Sequence, residues 1–126
     1  MLIIDTDVLI DVLRKHPPAL KWLAGVTDEI ITPGFCSMEL VADVHSLAEM
    51  RRVDQVLLPV RVVWPSRGAM EDALRIYRSF RLSVAIGFVD AMIAATAIEL
   101  DLALHTFNSK HYSHVPGLKL IRPYTR

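Results

Sequence analysis

Three carboxylates stand out by their surroundings. Asp5 closes the apolar run Leu2-Ile3-Ile4, Glu39 follows Ser37-Met38 and precedes Leu40-Val41, and Asp90 lies among Phe88, Val89, Met92 and Ile93. At about 100° per residue, Ala94 and Ala97 fall within about 40° of Asp90 on a helix, while Glu99 lies on the opposite side. Asp90 therefore shares a face with small residues that should be buried. A partly buried carboxylate needs a hydrogen-bond donor, a basic partner or a metal ion. Carboxylates that converge repel one another and resist ionisation unless a cation sits among them. Mg²⁺ or Mn²⁺, which prefer oxygen ligands, would suit such a cluster. Each acid also has a plainer explanation. Asp5 could cap a helix, Glu39 could be a charge at a helix start, and Asp90 could pair with an Arg or Lys.

The elements around these residues decide whether they can meet. Leu2-Ile3-Ile4 has no polar alternation and predicts a strand buried on both faces. Thr6 or Asp5 can cap the helix that follows, where Val8, Leu9, Val12 and Leu13 form an apolar stripe. His16-Pro17-Pro18 breaks it, and Pro18 can open a second helix ending at Gly25. Residues 29–32 predict a second strand closed by a Pro33-Gly34 turn, then a helix bearing Glu39 in its first turns. A helix over 47–58 and a strand over 60–64 follow. Ser66 is a candidate cap for the next helix, with Met70, Ala73, Leu74, Tyr77 and Phe80 on one side and a basic face on the other. Residues 83–87 predict an irregular link, 88–100 the most apolar helix, 103–106 a fourth strand, 107–117 a loop and 118–121 a last strand.

Strands alternating with helices imply a single α/β domain over residues 1–126, a three-layer helix-sheet-helix sandwich with a mostly parallel central sheet. In such a sheet ligands bind beyond the carboxyl ends of the strands, where Asp5 lies. Asp5, Glu39 and Asp90 each sit just past a strand or near a helix start, so all three can meet at one sheet edge.

Composition narrows the function classes. The chain has 126 residues, 52% of them hydrophobic, and only Cys36 as a cysteine, which excludes a disordered tail, an internal disulfide and a cysteine-based metal cluster. No run approaches the roughly 20 apolar residues that span a bilayer. A cytoplasmic protein without a membrane segment is expected. Lys and Arg equal Asp and Glu, 14 each, but residues 1–50 carry eight acids and three bases while the remainder carries six acids and eleven bases. A chain that gathers acids in one part and bases in another can hold cations beside a polyanion.

The segments Ile4-Asp5-Thr6-Asp7-Val8-Leu9-Ile10, Ser37-Met38-Glu39-Leu40, Asp90-Ala91-Met92-Ile93-Ala94-Ala95-Thr96-Ala97 and Thr106-Phe107-Asn108-Ser109-Lys110-His111-Tyr112, in that order, resemble PIN-domain ribonucleases, specifically the toxins of VapBC-type toxin–antitoxin pairs. The resemblance spans nearly the whole chain. It implies a PIN-like fold, metal-dependent endoribonuclease activity, a homodimer and a cognate antitoxin. By it Asp5, Glu39 and Asp90 correspond to the family's acidic site and Thr6 to a hydroxyl beside it. One departure is visible: where many members carry a fourth acid, this chain has Asn108 and His111. Asn108 still offers a neutral oxygen or can orient a water, but a second ion would be held less firmly.

The expected chemistry is hydrolysis of RNA by activated water, with Asp5 and Asp90 ligating Mg²⁺ or Mn²⁺ and Glu39 holding a water or a second ion. Asp7 could stand in for the missing fourth acid but reads first as an acid serving the helix start; His111 could be a general acid or an RNA contact but reads first as a surface loop residue, and His105 reads as a core one. Arg75, Arg78, Arg81 and Lys110 are the cations chosen from charge distribution for the RNA backbone. Helices over 6–24 and 34–58 are the expected source of apolar surface for a dimer or antitoxin. Two alternatives remain. Asp5-Thr6-Asp7 after a strand also resembles the start of haloacid-dehalogenase-type phosphatases, with Asp5 as nucleophile. A PIN-like module lacking its fourth acid could instead bind RNA or a partner without cutting.

Overall fold

The computed structural model describes Met1 to Arg126. Five strands, β1 (Leu2–Ile4), β2 (Ile30–Pro33), β3 (Arg61–Val63), β4 (Leu104–His105) and β5 (Leu120–Ile121), form one sheet in the order β3-β2-β1-β4-β5. Every pairing is parallel, with Leu2 opposite Ile30 and Ile3 opposite both Ile31 and Leu104. The central strands carry Ile3, Ile4, Ile31 and Leu104 with almost no exposure, as expected of a sheet covered on both faces. Edge strand β3 is more open, and there Arg61 pairs with Glu29.

Helices α1 (Thr6–Leu13), α2 (Pro17–Gly25), α3 (Gly34–Ala42) and α4 (Leu47–Leu57) lie in the connections that run outward from β1 to β3. Helices α5 (Arg67–Val84) and α6 (Phe88–Glu99), then α7 (Ser109–Tyr112), lie in connections that run the other way. Right-handed crossovers put these two groups on opposite faces, which makes the three layers. Accordingly α1 packs on α2, α3 and α4, and α6 packs on α5 and α7. The chain reverses direction between β1 and β4, and this switch point opens a crevice at the carboxyl ends of those two strands.

Several local expectations need correction. Pro33 and Gly34 make no separate turn: Pro33 ends β2 and Gly34 begins α3 directly. A side chain at Gly34 would meet the Trp64 ring at 2.3 Å, so the close approach of that indole accounts for the glycine. Helix α2 starts at Pro17, one residue early. Helix α5 continues through residue 84 and ends on left-handed Ala85, shortening the irregular link. The loop after β4 contains α7, whose Tyr112 is fully buried. Ser66 does cap α5, accepting a hydrogen bond from the Ala69 amide at 3.1 Å.

Candidate active site

Asp5 follows β1 directly and caps α1, accepting the Thr6 amide at 2.7 Å. Capping and display are thus the same placement: the carboxylate is 4% exposed and lines an open cleft of about 390 Å³. Thr6, Asp7, Glu39, Asp90, Phe107, Asn108 and Arg126 also line it. The cleft lies at the switch point, so the five site residues expected from sequence, Asp5, Thr6, Glu39, Asp90 and Asn108, share one cavity. Asp90 stands in the first turn of α6, where the positive end of the helix favours an anion, as α1 does for Asp5 and Asp7. Glu39 is in the second turn of α3, past the helix-start positions that would explain it as a dipole charge. It accepts the Thr6 hydroxyl at 2.6 Å, tying α3 to the start of α1.

Beneath the cleft, hydroxyls rather than cations hold the acids. Thr106, just past β4, lies 2.8 Å from Asp5 Oδ2 and 3.2 Å from Asp7 Oδ2. Tyr112 directs its phenol at Asp90 Oδ1, 3.3 Å away. No Lys or Arg pairs with Asp5, Glu39 or Asp90; the cation nearest the cleft, Arg126, is bound to Asp11 at 2.9 and 3.1 Å. Burial, reinforced by Asp7, pushes the Asp5 carboxyl up to about 7. Burial likewise raises Asp7 and Glu39, and it raises the Tyr112 phenol far enough to keep it protonated. These groups oppose one another's ionisation, which is the condition that a cation relieves.

Asp7 sits in the first turn of α1, as expected. Rather than serving the helix start alone, it reaches across to the segment after β4 and accepts the Phe107 amide at 2.8 Å, while its Oδ1 is buried with no hydrogen-bond partner. His111 is also more than a surface residue, since its Nδ1 is 3.4 Å from Asp90 Oδ2 and 3.3 Å from Asn108 Nδ2. His105 is half-buried with Nδ1 at 3.2 Å from the Ile3 carbonyl, consistent with a core role, and burial lowers its pKa. Arg75, Arg78, Arg81 and Lys110 do not line the cleft, and Arg75 is paired with Asp72. Thr106, Tyr112 and Arg126 had no role assigned from sequence. For Thr106 the available signal was its place just after a strand of the same sheet as Asp5.

The donor set is entirely oxygen and includes an orphaned buried carboxylate atom, and the one Lys or Arg lining it, Arg126, is engaged by Asp11, so it suits a hard divalent ion. No three His, Cys, Asp or Glu side chains form a ready coordination group. An ion here would therefore take one or two carboxylates and complete its shell with water and substrate phosphate.

Fold and site define an α/β protein with a carboxylate cleft at the switch point of its sheet. The chain belongs to the PIN domain family, whose model matches residues 2–118. It is 35% identical over 127 residues to "Ribonuclease VapC19" of Mycobacterium tuberculosis, covering 94% of this chain and 98% of that one. It is 33% identical over 122 residues to "Ribonuclease VapC10" of the same species, covering 94% and 91%. Its fold is similar to that in DNA-bound VapBC from Salmonella typhimurium, with a TM-score of 0.82 at 23% identity over 96% of this chain and 98% of that one. VapBC2 from Rickettsia felis gives a TM-score of 0.81 at 20% identity, over 95% and 96%. The phosphatase alternative loses its basis, because the family is matched along the chain rather than at residues 5–7 alone.

Proposed function

We propose that the chain is an endoribonuclease of the VapC kind, the toxin of a type II toxin–antitoxin pair, which hydrolyses RNA phosphodiester bonds with Mg²⁺ or Mn²⁺. The observation that carries the mechanism is the set of acids Asp5, Asp7, Glu39 and Asp90 around one open cleft, with no Lys or Arg paired to Asp5, Glu39 or Asp90 and only the His111 imidazole beside Asp90. Asp5 and Asp90 would hold the ion, with Glu39 and Asp7 within its field. The ion supplies Lewis acidity, lowering the pKa of water and offsetting charge on the phosphodiester. Thr106 and Tyr112 fix the two ligating carboxylates by hydrogen bonds. Thr6 holds Glu39 so that its free oxygen can orient or deprotonate the attacking water. Asn108, held by its amide to Thr106, keeps its side chain beside His111 at the cleft wall. No covalent intermediate with the protein is required.

The ribonuclease names of the curated relatives and the toxin–antitoxin complexes with the same fold support an RNA substrate and an antitoxin partner. No helix is long and apolar enough to cross a membrane. Action in the cytoplasm is part of this proposal. A homodimer is also proposed. Exposed apolar residues occur on α3 and α4 (Met38, Val41, Leu47) as expected, and on α5 and α6 (Leu74, Leu82, Phe88), beyond the helices expected to supply such surface. The test is induction of the wild type and of Asp5→Ala in a bacterial host without antitoxin, followed by mapping of RNA ends. Growth arrest with new ends for the wild type alone supports the proposal. Arrest and ends from both would overturn the assignment of Asp5.

The non-cutting alternative is distinguished by the same experiment, because a binding module would yield no new ends from either protein.

A further inference from the structure

A run of aromatic rings leads out of the acidic cleft. Phe107 lines the cleft and is fixed to it, since its amide donates to Asp7. Its ring meets Tyr124 edge-on with centroids 4.8 Å apart, and Tyr124 meets Trp22 at 5.9 Å. Tyr124 and Trp22 then form the wall of a second pocket of about 500 Å³, which Pro18 and Lys21 also line. Cations accompany this path. The Arg126 guanidinium lies 4.4 Å from the Phe107 ring centroid and that of Arg122 5.5 Å, while Lys21 stands at the far pocket. The Tyr124 hydroxyl is committed to Asp11 at 2.8 Å, which locks the ring in place.

Aromatic faces beside cations are what single-stranded nucleic acid requires: bases stack on rings and phosphates track the positive groups. We infer that the Trp22–Tyr124 pocket is a substrate subsite that takes an unpaired nucleobase of the RNA strand flanking the phosphate held in the cleft, with Lys21 on that strand's backbone. The inference rests on the ribonuclease proposal for the identity of its ligand. It gives a role to an aromatic surface edged by Lys21 outside the acidic cleft, and the Phe107–Tyr124 contact joins the wall of the pocket to that of the cleft. Duplex RNA is excluded from it, because paired bases present no free face for stacking.

Trp22 and Trp64 are the two tryptophans, so Trp64→Phe leaves Trp22 as the reporter. A short fluorescein-labelled single-stranded RNA of mixed sequence is titrated in EDTA, where hydrolysis is stopped, and binding is followed by anisotropy and by Trp22 quenching. Saturable quenching is expected, with Kd about tenfold weaker for Trp22→Leu, the scale of one lost base stack. Lys21→Glu, at an exposed position, should weaken binding several-fold and flatten its salt dependence. Unchanged Kd in Lys21→Glu and in a folded Trp22→Leu, or equal quenching by duplex RNA, would overturn the subsite. So would Trp22 fluorescence that ignores RNA and shifts only in an antitoxin complex, which would assign the pocket to a protein segment. Binding in EDTA does not depend on cleavage, so a protein that binds through Trp22 but never cuts refutes only the proposed activity.

Discussion

Asp5 and Asp7 reach for the same proton: Thr106 Oγ1 lies 2.8 Å from Asp5 Oδ2 and 3.2 Å from Asp7 Oδ2. A hydroxyl has one hydrogen to donate, and this oxygen already accepts the Asn108 amide at 3.0 Å. One of the two carboxylates is therefore always left short of a donor, and Asp7 Oδ1 has none at all. A buried and a half-buried carboxylate in this condition must share an additional proton or neighbour a cation.

Removing that hydroxyl should be costly to function while sparing the fold. Thr106→Val keeps the shape of the side chain and deletes the donor. We expect kcat/KM for RNA cleavage to fall about tenfold or more, the scale of a hydrogen bond to a charged group, with Thr106→Ser close to wild type. Cleavage of a labelled RNA under both single and multiple turnover measures this.

Stability without metal should depend on pH in an unusual direction. The Asp5 carboxyl is raised in the fold to about 7 from 3.8, so its contribution is fully present below about pH 4 and is lost as pH rises through 7. Asp7 and Glu39 are raised also and act in the same sense. Asp11, lowered chiefly by its hydrogen bond to Arg126 against the opposing effect of burial, has the opposite sign and loses stability only in acid. Metal-free protein should thus melt at lower temperature at pH 8 than at pH 6, and Mn²⁺ should restore most of the difference. Thermal melts across pH, with and without Mn²⁺, check this, and Asp5→Asn should remove much of both effects.

Tyr112 is a positioning residue. Its phenol is fully buried and bonds Asp90 Oδ1 at 3.3 Å. Tyr112→Phe should leave KM for RNA near wild type, lower kcat several-fold and weaken Mn²⁺ affinity, because Asp90 would lose its orienting donor. A change in KM alone would contradict this role.

Asp11 is a buried acid of a different kind. It accepts the Tyr124 hydroxyl and two nitrogens of Arg126, which fastens the segment after β5 to α1. Asp11→Ala should lower stability by about 1–3 kcal/mol, seen as a reduced Tm.

The parallel sheet and the position of Asp5 were legible because unbroken apolar strands, cap signals and breakers are local features, and Asp5 bears two of them. Glu39 and Asp90 were legible as anomalies, charges on otherwise apolar helix segments. Asp7 does sit in the first turn of α1, where acids are favoured, but that local rule holds no information about the Phe107 amide a hundred residues away. Thr106 and Tyr112 were missed for a related reason: a hydroxyl in a strand end or a short helix has no distinguishing pattern until β4 is placed beside β1. Charge counting favoured the arginines of α5, yet Arg126 is at the cleft, since only tertiary structure decides which cation approaches a site.

The most direct test of the acidic cleft is a calorimetric titration of purified protein with Mn²⁺ at pH 7.5, repeated on Asp5→Asn and Asp90→Asn. A saturable site in the wild type, weakened at least tenfold in both variants while their folds persist, is the predicted result. Equal Mn²⁺ affinity in all three proteins would mean that the carboxylates hold no ion, and the proposed chemistry would fall with them.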